Sequence, residues 1–156
     1  MNIRVATPKD IESIADLNVE VQNLHAKAHP HIFKHVEDGV FAINYIAEQM
    51  TTPNTYFFIA ELDGEAVGYV FARVIHRPEN PYTYAWNWVY IDQIAVKPSA
   101  QGKGCGSALI QAVRELAQEE GIETIALDTW AFNEKAQDFF KNQGFTMFNM
   151  KMWMEA

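Results

Sequence analysis

Three glycines at alternate positions, Gly102, Gly104 and Gly106, separate an apolar run from a helix-like pattern. The apolar run, Ile94–Val96, has the β-branched character of a strand. Apolar residues after the glycines recur at spacings of three and four, which is typical of a buried helix face: Leu109, Ala112, Val113, Leu116 and Ala117. Glycine lacks a Cβ atom, so its backbone can turn sharply and bring N–H groups close to a ligand. The stretch predicts a strand, a tight turn and a helix whose N-terminus can hold a phosphate group.

Length and charge restrict the function classes open to this chain. Its 156 residues predict a single domain, 1–156, with a substantial core. No apolar run reaches the ~18 residues of a membrane span, and the N-terminus lacks the pattern of a signal peptide, so no membrane partner is expected. The formal net charge of −8 argues against nucleic acid as a partner and favours cationic small molecules or peptides. The single cysteine, Cys105, excludes an internal disulfide and fits a cytoplasmic location.

The chain before the glycine loop reads as a strand, two helices and three strands. The first helix begins at Thr7-Pro8, an N-cap followed by proline, and ends before Pro30. A two-residue turn, Asp63-Gly64, joins two of the later strands. Besides that first helix, the predicted elements are strand Asn2–Ala6, helix Val40–Met50, and strands Tyr56–Ala60, Glu65–Ile75 and Tyr82–Val96, the last with room for a bulge.

The chain after the loop alternates between helix and strand. A helix over 106–119 is followed by a short apolar strand, Thr124–Leu127. Asn133 is a candidate N-cap for a helix that Gly144 ends, and 145–154 predicts a last strand. This order predicts an α/β fold with a mixed, mostly antiparallel sheet and helices on both of its faces.

Several kinds of structure are compatible with the glycine loop. A P-loop needs four residues between its glycines and then Gly-Lys-Ser or Gly-Lys-Thr, which this sequence lacks. A dinucleotide fingerprint needs a third glycine where Ser107 stands, although Asp128 has the position of its acidic residue. A nucleotide-dependent oxidoreductase is therefore one alternative, and a structural corner without a ligand is another.

The loop also resembles the Gln/Arg-x-x-Gly-x-Gly/Ala signature of the GNAT N-acetyltransferases. Its residues, Gln101-Gly102-Lys103-Gly104-Cys105-Gly106, follow an apolar strand and a Lys-Pro step, and a helix comes next. The segment 133–145 is similar to the family's Asn-x-x-Ala…Gly-Phe segment, and the order of predicted elements matches the family fold from end to end. The resemblance implies an N-acetyltransferase that takes its acetyl group from acetyl-CoA and has its sheet splayed at the cofactor site.

The resemblance implies which residues hold the cofactor. Loop N–H groups would bind the pyrophosphate of CoA, and the pantetheine arm would pair with the end of the preceding strand. A backbone N–H near Ile94 would polarise the thioester carbonyl. The implied cofactor residues are Ile94, Ala95, Val96, Gln101, Gly102, Lys103, Gly104, Cys105, Gly106, Ser107, Asn133 and Phe140, with no metal ligand among them.

Acetyl transfer needs a base that deprotonates the amine. Asp92 lies two residues before Ile94, and strand alternation predicts that it shares a face with Ile94 and Tyr90. The same alternation places Gln93 on the opposite face. Asp92 is therefore the candidate base.

The leaving thiolate of CoA needs a proton, which a tyrosine of the last helix supplies in the family. That position is Phe140 here, and phenylalanine has no proton to give. Tyr90 is a candidate replacement, and water, Tyr84 or an unaided thiolate are the alternatives. The missing tyrosine also keeps open a non-catalytic acyl-CoA-binding module on the same fold.

No motif marks the acceptor pocket. In the GNAT family the loop between the first two helices lines it, so His29, Phe33 and Tyr45 are candidate contacts for a small-molecule or peptide amine. His25 and His29 also have the spacing of metal ligands, but Pro30 and the lack of further ligands weaken that interpretation. An aromatic run over 82–90 favours one packed strand face, and it could serve a homodimer interface or an acceptor wall.

Overall fold

The structure is a computed structural model that describes residues 1–156. The chain contains five strands and four helices. One short 3-10 helix, Pro8–Asp10, leads directly into the first helix, and another, Pro98–Ala100, precedes the glycine loop. None of the helices combines the length and apolar character needed to cross a membrane. In chain order the elements are β1 Asn2–Val5, α1 Ile11–Ala28, α2 Val40–Thr51, β2 Thr55–Leu62, β3 Glu65–Arg77, β4 Trp86–Val96, α3 Cys105–Glu119, β5 Ile125–Leu127 and α4 Glu134–Asn142.

The strands form one sheet in the order β1-β2-β3-β4-β5. The first four strands pair antiparallel, and β5 pairs parallel with β4. The β2–β3 hairpin turns at Asp63-Gly64, where both residues have positive φ, as a two-residue hairpin turn requires. The mixed, mostly antiparallel sheet predicted from the order of elements is confirmed.

Helices cover both faces of the sheet, as predicted. On one face α3 and α4 pack on a core that includes Val70, Val89 and Leu109. On the other face α1 and α2 pack on a core that includes Ile14, Phe57 and Phe71. Side chains that alternate along β3 and β4 therefore enter one core or the other, which allows a residue's face to be assigned from its neighbours.

A partly buried ion pair fixes the start of the chain. The predicted cap at Thr7 is confirmed: its backbone N–H donates to the Asp10 carboxylate at 2.7 Å, in a capping box. Arg4 donates to both Asp10 oxygens at 2.7 and 2.8 Å, and also to Glu61 on β2. These hydrogen bonds hold the pKa of Asp10 well below its usual range. The network joins β1, β2 and the entry to α1.

Two of the predicted strand assignments are wrong. β4 begins at Trp86 rather than Tyr82, because Pro81 ends the preceding segment and Asn80 holds a turn with Thr83. Tyr82 and Tyr84 are 95% and 86% exposed in that turn, so the predicted aromatic face is limited to positions 86–90. The last strand, predicted over 145–154, forms no sheet pairing within the chain. A segment with a strand-like pattern becomes a strand only where a sheet edge is available and runs in a direction that allows pairing.

Candidate active site

The glycine loop presents free backbone donors at the start of α3. The N–H groups of residues 102, 104, 105, 106 and 107 form no hydrogen bond within the protein. The first N–H groups of a helix have no partner in the helix itself, and they carry the positive end of its dipole. Five unbonded donors within six residues suit an anion with several oxygens, such as a pyrophosphate.

The shape of this loop requires all three of its glycines, and Gly102 has a positive φ of 76°. Gly104 is the N-cap of α3 with φ at 83°, a left-handed conformation that side chains with a Cβ avoid. Gly106 lies against α4, where an added Cβ would be 3.0 Å from the Phe139 ring. Cys105 between them is buried with a free thiol, and the Ser107 hydroxyl accepts a hydrogen bond from Gln143 at 2.9 Å. The loop is thus shaped by its own backbone and fixed against α4.

A gap opens between β4 and β5 beside the loop. β5 pairs with β4 only over Val89–Ile91, so the rest of β4 has no neighbour on that side. The Lys97 N–H donates to Val67 on β3, and antiparallel hydrogen bonds recur at every second residue. The peptide groups of Ile94 and Val96 therefore face the gap, while those of Ala95 face β3. The gap is a place where an extended chain with amide groups can pair with β4.

Residues of α4 border the gap near the loop. Asn133 caps this helix, as predicted, because its side-chain oxygen accepts from the Ala136 N–H at 3.2 Å. Lys135 donates to the Gln101 side chain at 2.5 Å, and Gln101 donates to the Val96 carbonyl at 3.1 Å. Lys135 thus adds a cation to the glycine loop, together with Lys103 within it. The sequence reasoning missed Lys135.

A β-bulge at Asp92 changes which residues share a face of β4. Phe71 on β3 pairs with Gln93 and Ala72 pairs with Ile91, which leaves Asp92 as the extra residue. The prediction that Asp92 shares the face of Ile94 is wrong, because Ile94 packs on the α3 core. The prediction for Gln93 is also wrong: it accepts from Tyr69 and Asn18 on the α1 side, the side on which Asp92 also lies. The bulge interrupts the alternation on which both predictions were based.

Asp92 forms a two-pronged ion pair with Arg73 of β3. The guanidinium donates to both carboxylate oxygens at 2.6 Å, and these bonds raise the pKa of Arg73. The hydroxyl of Tyr45 on α2 also feels this carboxylate. Its pKa is raised first by burial and then by the negative charge of Asp92. Each Asp92 oxygen keeps a further lone pair for another donor. The structure thus brings two predicted site residues, Asp92 and Tyr45, together with an arginine that the sequence reasoning missed.

Tyr90 pairs with a carboxylate at the end of β5. Its hydroxyl donates to Asp128 at 2.9 Å, and burial followed by this hydrogen bond raises the pKa of Tyr90 to about 12. The Arg73 guanidinium lies 5.7 Å from the centre of the Tyr90 ring, so the two pairs adjoin. The sequence marks Asp128 only as the acidic residue of a dinucleotide fingerprint. Its position at the carboxyl end of a parallel strand is a signal that favours a role in the site.

Phe140 lies in the α3–α4 core. It is 9% exposed and packs edge-to-face with Phe139 and Phe145, at ring distances of 5.3 and 5.7 Å. The structure gives this ring a packing role. Its predicted contact with the cofactor stays a prediction.

An aromatic cluster lies beyond the end of β5. It joins the end of α1, the loop after it, the β5–α4 loop and the C-terminal segment. Ring centres are 5.0 Å apart for His29 and Trp130, 5.1 Å for Phe33 and Trp130, and 5.5 Å for His29 and Trp153. We use the name aromatic cluster for His25, His29, Phe33, Trp130, Phe132 and Trp153.

Two of the three predicted acceptor residues, His29 and Phe33, belong to the aromatic cluster, whereas Tyr45 lies by Asp92. The sequence reasoning missed Trp130 and Phe132, although two large aromatic residues in a loop are a signal of binding. Asp128 is two residues before Trp130, so the cluster adjoins the Tyr90–Asp128 pair. The arrangement combines a cationic loop, a free strand edge, two carboxylates and an aromatic wall.

The sequence profile of the acetyltransferase (GNAT) family matches residues 14–145. An uncharacterized N-acetyltransferase from the pepI 3′ region of Lactobacillus delbrueckii subsp. lactis is 28% identical over 101 residues, which are 65% of this chain and 57% of that protein. The L-2,4-diaminobutyric acid acetyltransferase of Nocardia farcinica is 39% identical over 67 residues, 43% of this chain and 31% of that protein. The chain thus matches less than two thirds of the length of either relative.

Two solved structures share the fold. A tetramutant of the BH1408 protein from Bacillus halodurans superposes with a TM-score of 0.94 at 22% identity, and the match covers 100% of both chains. Aminoglycoside N-acetyltransferase AAC(6′)-Iy in complex with CoA superposes with a TM-score of 0.73 at 22% identity, covering 99% of this chain and 98% of that one. The family profile extends from α1 to the end of α4 and includes the glycine loop, and the chain therefore belongs to the GNAT acetyltransferase family.

Proposed function

We propose that this chain transfers an acetyl group from acetyl-CoA to a primary amine of a small molecule. The observation that carries the proposal is the continuity between the free edge of β4 and the glycine loop. The edge offers the peptide groups of Ile94 and Val96, and the loop next to it offers five unbonded N–H groups. An extended arm with amides and a pyrophosphate at its end, which is the chemistry of CoA, fits this sequence of donors.

Backbone groups would do most of the cofactor binding. The free N–H groups of residues 102 and 104–107 would donate to the pyrophosphate, with the side-chain charges of Lys103 and Lys135 close by. The arm would pair with Ile94 and Val96 as an added strand. The N–H of Ile94 would then donate to the thioester oxygen as negative charge develops on it.

Two groups on the α1–α2 side of β4 are placed for proton transfer. Asp92 would receive the amine through the lone pairs that Arg73 leaves free and would accept its proton, directly or through a water. Tyr90 would protonate the leaving thiolate. Its hydroxyl is protonated at neutral pH, as an ordinary phenol is, and it would turn from Asp128 to the thiolate and then regain a proton from solvent.

The acceptor we infer is a cationic amine with an apolar or ring-bearing part. Asp92 and Asp128 supply negative charge, and the aromatic cluster supplies faces that attract cations and pack on apolar groups. The names of a diaminobutyric acid acetyltransferase and an aminoglycoside N-acetyltransferase among the similar proteins support a small amine over a peptide.

The test is release of free thiol from acetyl-CoA by the purified protein in the presence of a panel of amines. We expect amine-dependent release with at least one diamine or amino sugar, and mass spectrometry should find the acetylated product. Asp92→Asn should lower kcat by at least about tenfold, and Tyr90→Phe by a smaller factor, as is usual for general acid–base groups. A panel of longer acyl-CoA donors in the same assay tests the choice of acetyl.

A binding module for acyl-CoA is the second candidate, and Phe140 favours it. The family's proton donor is absent at this position, and the ring is buried in the core. Calorimetric binding of CoA without turnover on any amine would support the module and contradict acetyl transfer. Absence of CoA binding would contradict both candidates.

A further inference from the structure

One arginine of the sheet has no partner within the protein. Three of the four arginines, Arg4, Arg73 and Arg114, donate hydrogen bonds to other residues. Arg77, the last residue of β3, donates none and forms no ion pair, although the chain carries 20 acidic residues. Its Nε atom is buried without an acceptor. Such a group costs free energy, so its retention indicates a purpose other than stability.

Two tryptophans hold the Arg77 guanidinium in place. Its central carbon lies 5.1 Å from the centre of the Trp86 ring and 5.9 Å from the centre of the Trp88 ring. The two indole rings stack on each other, with centres 4.5 Å apart. Stacking on ring faces orients a guanidinium but uses none of the N–H groups at its edge. The four terminal N–H groups of Arg77 therefore remain for an acceptor from outside the chain.

Arg77 shares a face of the sheet with Arg73, the partner of Asp92. Val74 lies between the two arginines in the sequence and enters the α3 core. Strand alternation therefore directs both arginines to the α1–α2 side, where Asp92 also lies. Four residues of strand separate Arg73 from Arg77 by about 13 Å. The unpaired arginine is thus in line with the candidate base.

An apolar strip connects the two arginines along this face. Ile75 on β3 pairs with Trp88 on β4, midway between them. We use the name apolar strip for Ile75, Trp86 and Trp88. All three side chains are half-buried, so part of their apolar surface is open to a ligand. An apolar chain or ring that lies on the strip would reach from Asp92 to Arg77.

The two ends of the apolar strip have opposite electrostatic character. At one end the Arg73 guanidinium is already neutralised by both oxygens of Asp92, which keep further lone pairs for a cationic amine. At the other end the charge of Arg77 has no counter-ion. A ligand with an amine at one end and an anion at the other would match both ends.

We propose that Arg77 binds an oxyanion at the far end of the acceptor. The acceptor is then an amine whose apolar chain or ring carries a carboxylate or a phosphate. This assignment rests on the proposed function, which places the amine at Asp92. Two N–H groups of Arg77 would donate in parallel to two oxygens of the oxyanion. The separation of about 13 Å excludes an oxyanion next to the amine, as in an α-amino acid.

The first test is calorimetric binding of ω-amino acids with chains of four and ten carbons. Each is compared with its ω-amino amide, which keeps the amine and the chain but lacks the negative charge. At ten carbons we expect the carboxylate to bind at least about tenfold more tightly than the amide, whereas at four carbons the two should bind alike. The ten-carbon aminoalkyl phosphate in the same assay shows which of the two oxyanions Arg77 prefers.

The second test is substitution of the arginine. Arg77→Gln should abolish the preference for the ten-carbon carboxylate, and Arg77→Lys should retain part of it, because lysine keeps the charge but loses the fork of parallel donors. Lys9→Gln makes the same charge change at an exposed residue of the 3-10 helix after β1, and it should leave the preference intact. Thermal melting and CoA affinity verify that each variant is folded.

Three results would overturn the proposal. They are equal binding of the ten-carbon carboxylate and its amide, a preference that survives Arg77→Gln, and a loss that Lys9→Gln reproduces. An equal preference at four carbons would overturn the placement of the oxyanion at the far end. Failure of the proposed function has a different signature, since no amine would then release thiol from acetyl-CoA, whatever its binding requires at Arg77.

Discussion

The Tyr90 hydroxyl and the Asp128 carboxylate meet across the parallel pair β4–β5, where the gap between these strands begins. Burial makes the tyrosinate costly, and the neighbouring carboxylate makes it costlier, so both raise the pKa of Tyr90 to about 12. A phenol that stays protonated throughout the neutral range can serve as an acid. Asp92 lies two residues further along on the same face of β4, so both side chains adjoin the Arg73 guanidinium.

Replacing Asp128 with Asn should lower the pKa of Tyr90 toward its ordinary value of about 10, because the negative charge that opposes tyrosinate is removed. Carbon NMR of ring-labelled tyrosine, with Tyr90→Phe to assign the signal, measures this pKa. Tyr56 provides the control, since its pKa is raised by burial and by Glu120 and should not respond to the substitution. An unchanged Tyr90 titration would show that Asp128 does not act on it.

Asp10→Asn should destabilise the chain by about 1–3 kcal/mol at pH 7, since the bonds from Arg4 lose their anionic acceptor. The folded-state pKa of Asp10 is depressed, so its contribution is full above the unfolded value of about 4 and is lost as the pH falls below it. In urea unfolding, the difference in stability from the unmodified chain should therefore shrink between about pH 5 and about pH 3. Asp138→Asn, at an exposed pair with Lys141, should change stability little at either pH.

The helices α3 and α4 form the loop side of the site together. α3 supplies the free N–H groups, and α4 supplies Asn133 as a cap and Lys135 as a cation near Gln101. Their contact at Gly106 and Phe139 sets the distance between the loop and α4. The geometry of the site is therefore a property of two packed elements, not of the loop alone.

Lys135→Glu should weaken CoA binding by roughly tenfold, because it replaces a cation beside the glycine loop with an anion. Calorimetry with CoA measures the affinity, and the effect should diminish at high salt. Lys141→Glu makes the same charge change near the other end of α4 and serves as the control. Equal losses in the two variants would mean that only net charge matters.

Gly106→Ala should destabilise the chain by about 1–2 kcal/mol, although alanine is the better helix former. The added Cβ would lie 3.0 Å from the Phe139 ring, so α4 or the ring must move. In a background of Phe139→Leu the same change should cost less. Urea unfolding of the unmodified chain, the two single variants and the double variant measures this coupling. If the two effects simply added, the contact between position 106 and the Phe139 ring would not be the cause of the destabilisation.

At the scale of the whole molecule, the sheet separates two cores and opens only between β4 and β5. The loop and α4 lie on one side of that opening, and Asp92, Tyr90 and the aromatic cluster lie on the other. Cofactor and acceptor would thus approach from different faces, and Trp153 of the C-terminal segment lies on the acceptor face.

The sequence by itself determined the features that depend on neighbours along the chain. The glycine loop, the Asn133 cap, the Asp63-Gly64 hairpin and the order of elements follow from spacing and local conformation, and the family follows from two local motifs. Tertiary structure alone decided which face Asp92 and Gln93 occupy, because a bulge depends on the register with β3. It also left 145–154 unpaired and gathered the aromatic cluster from four segments, since pairing and packing need partners distant in sequence.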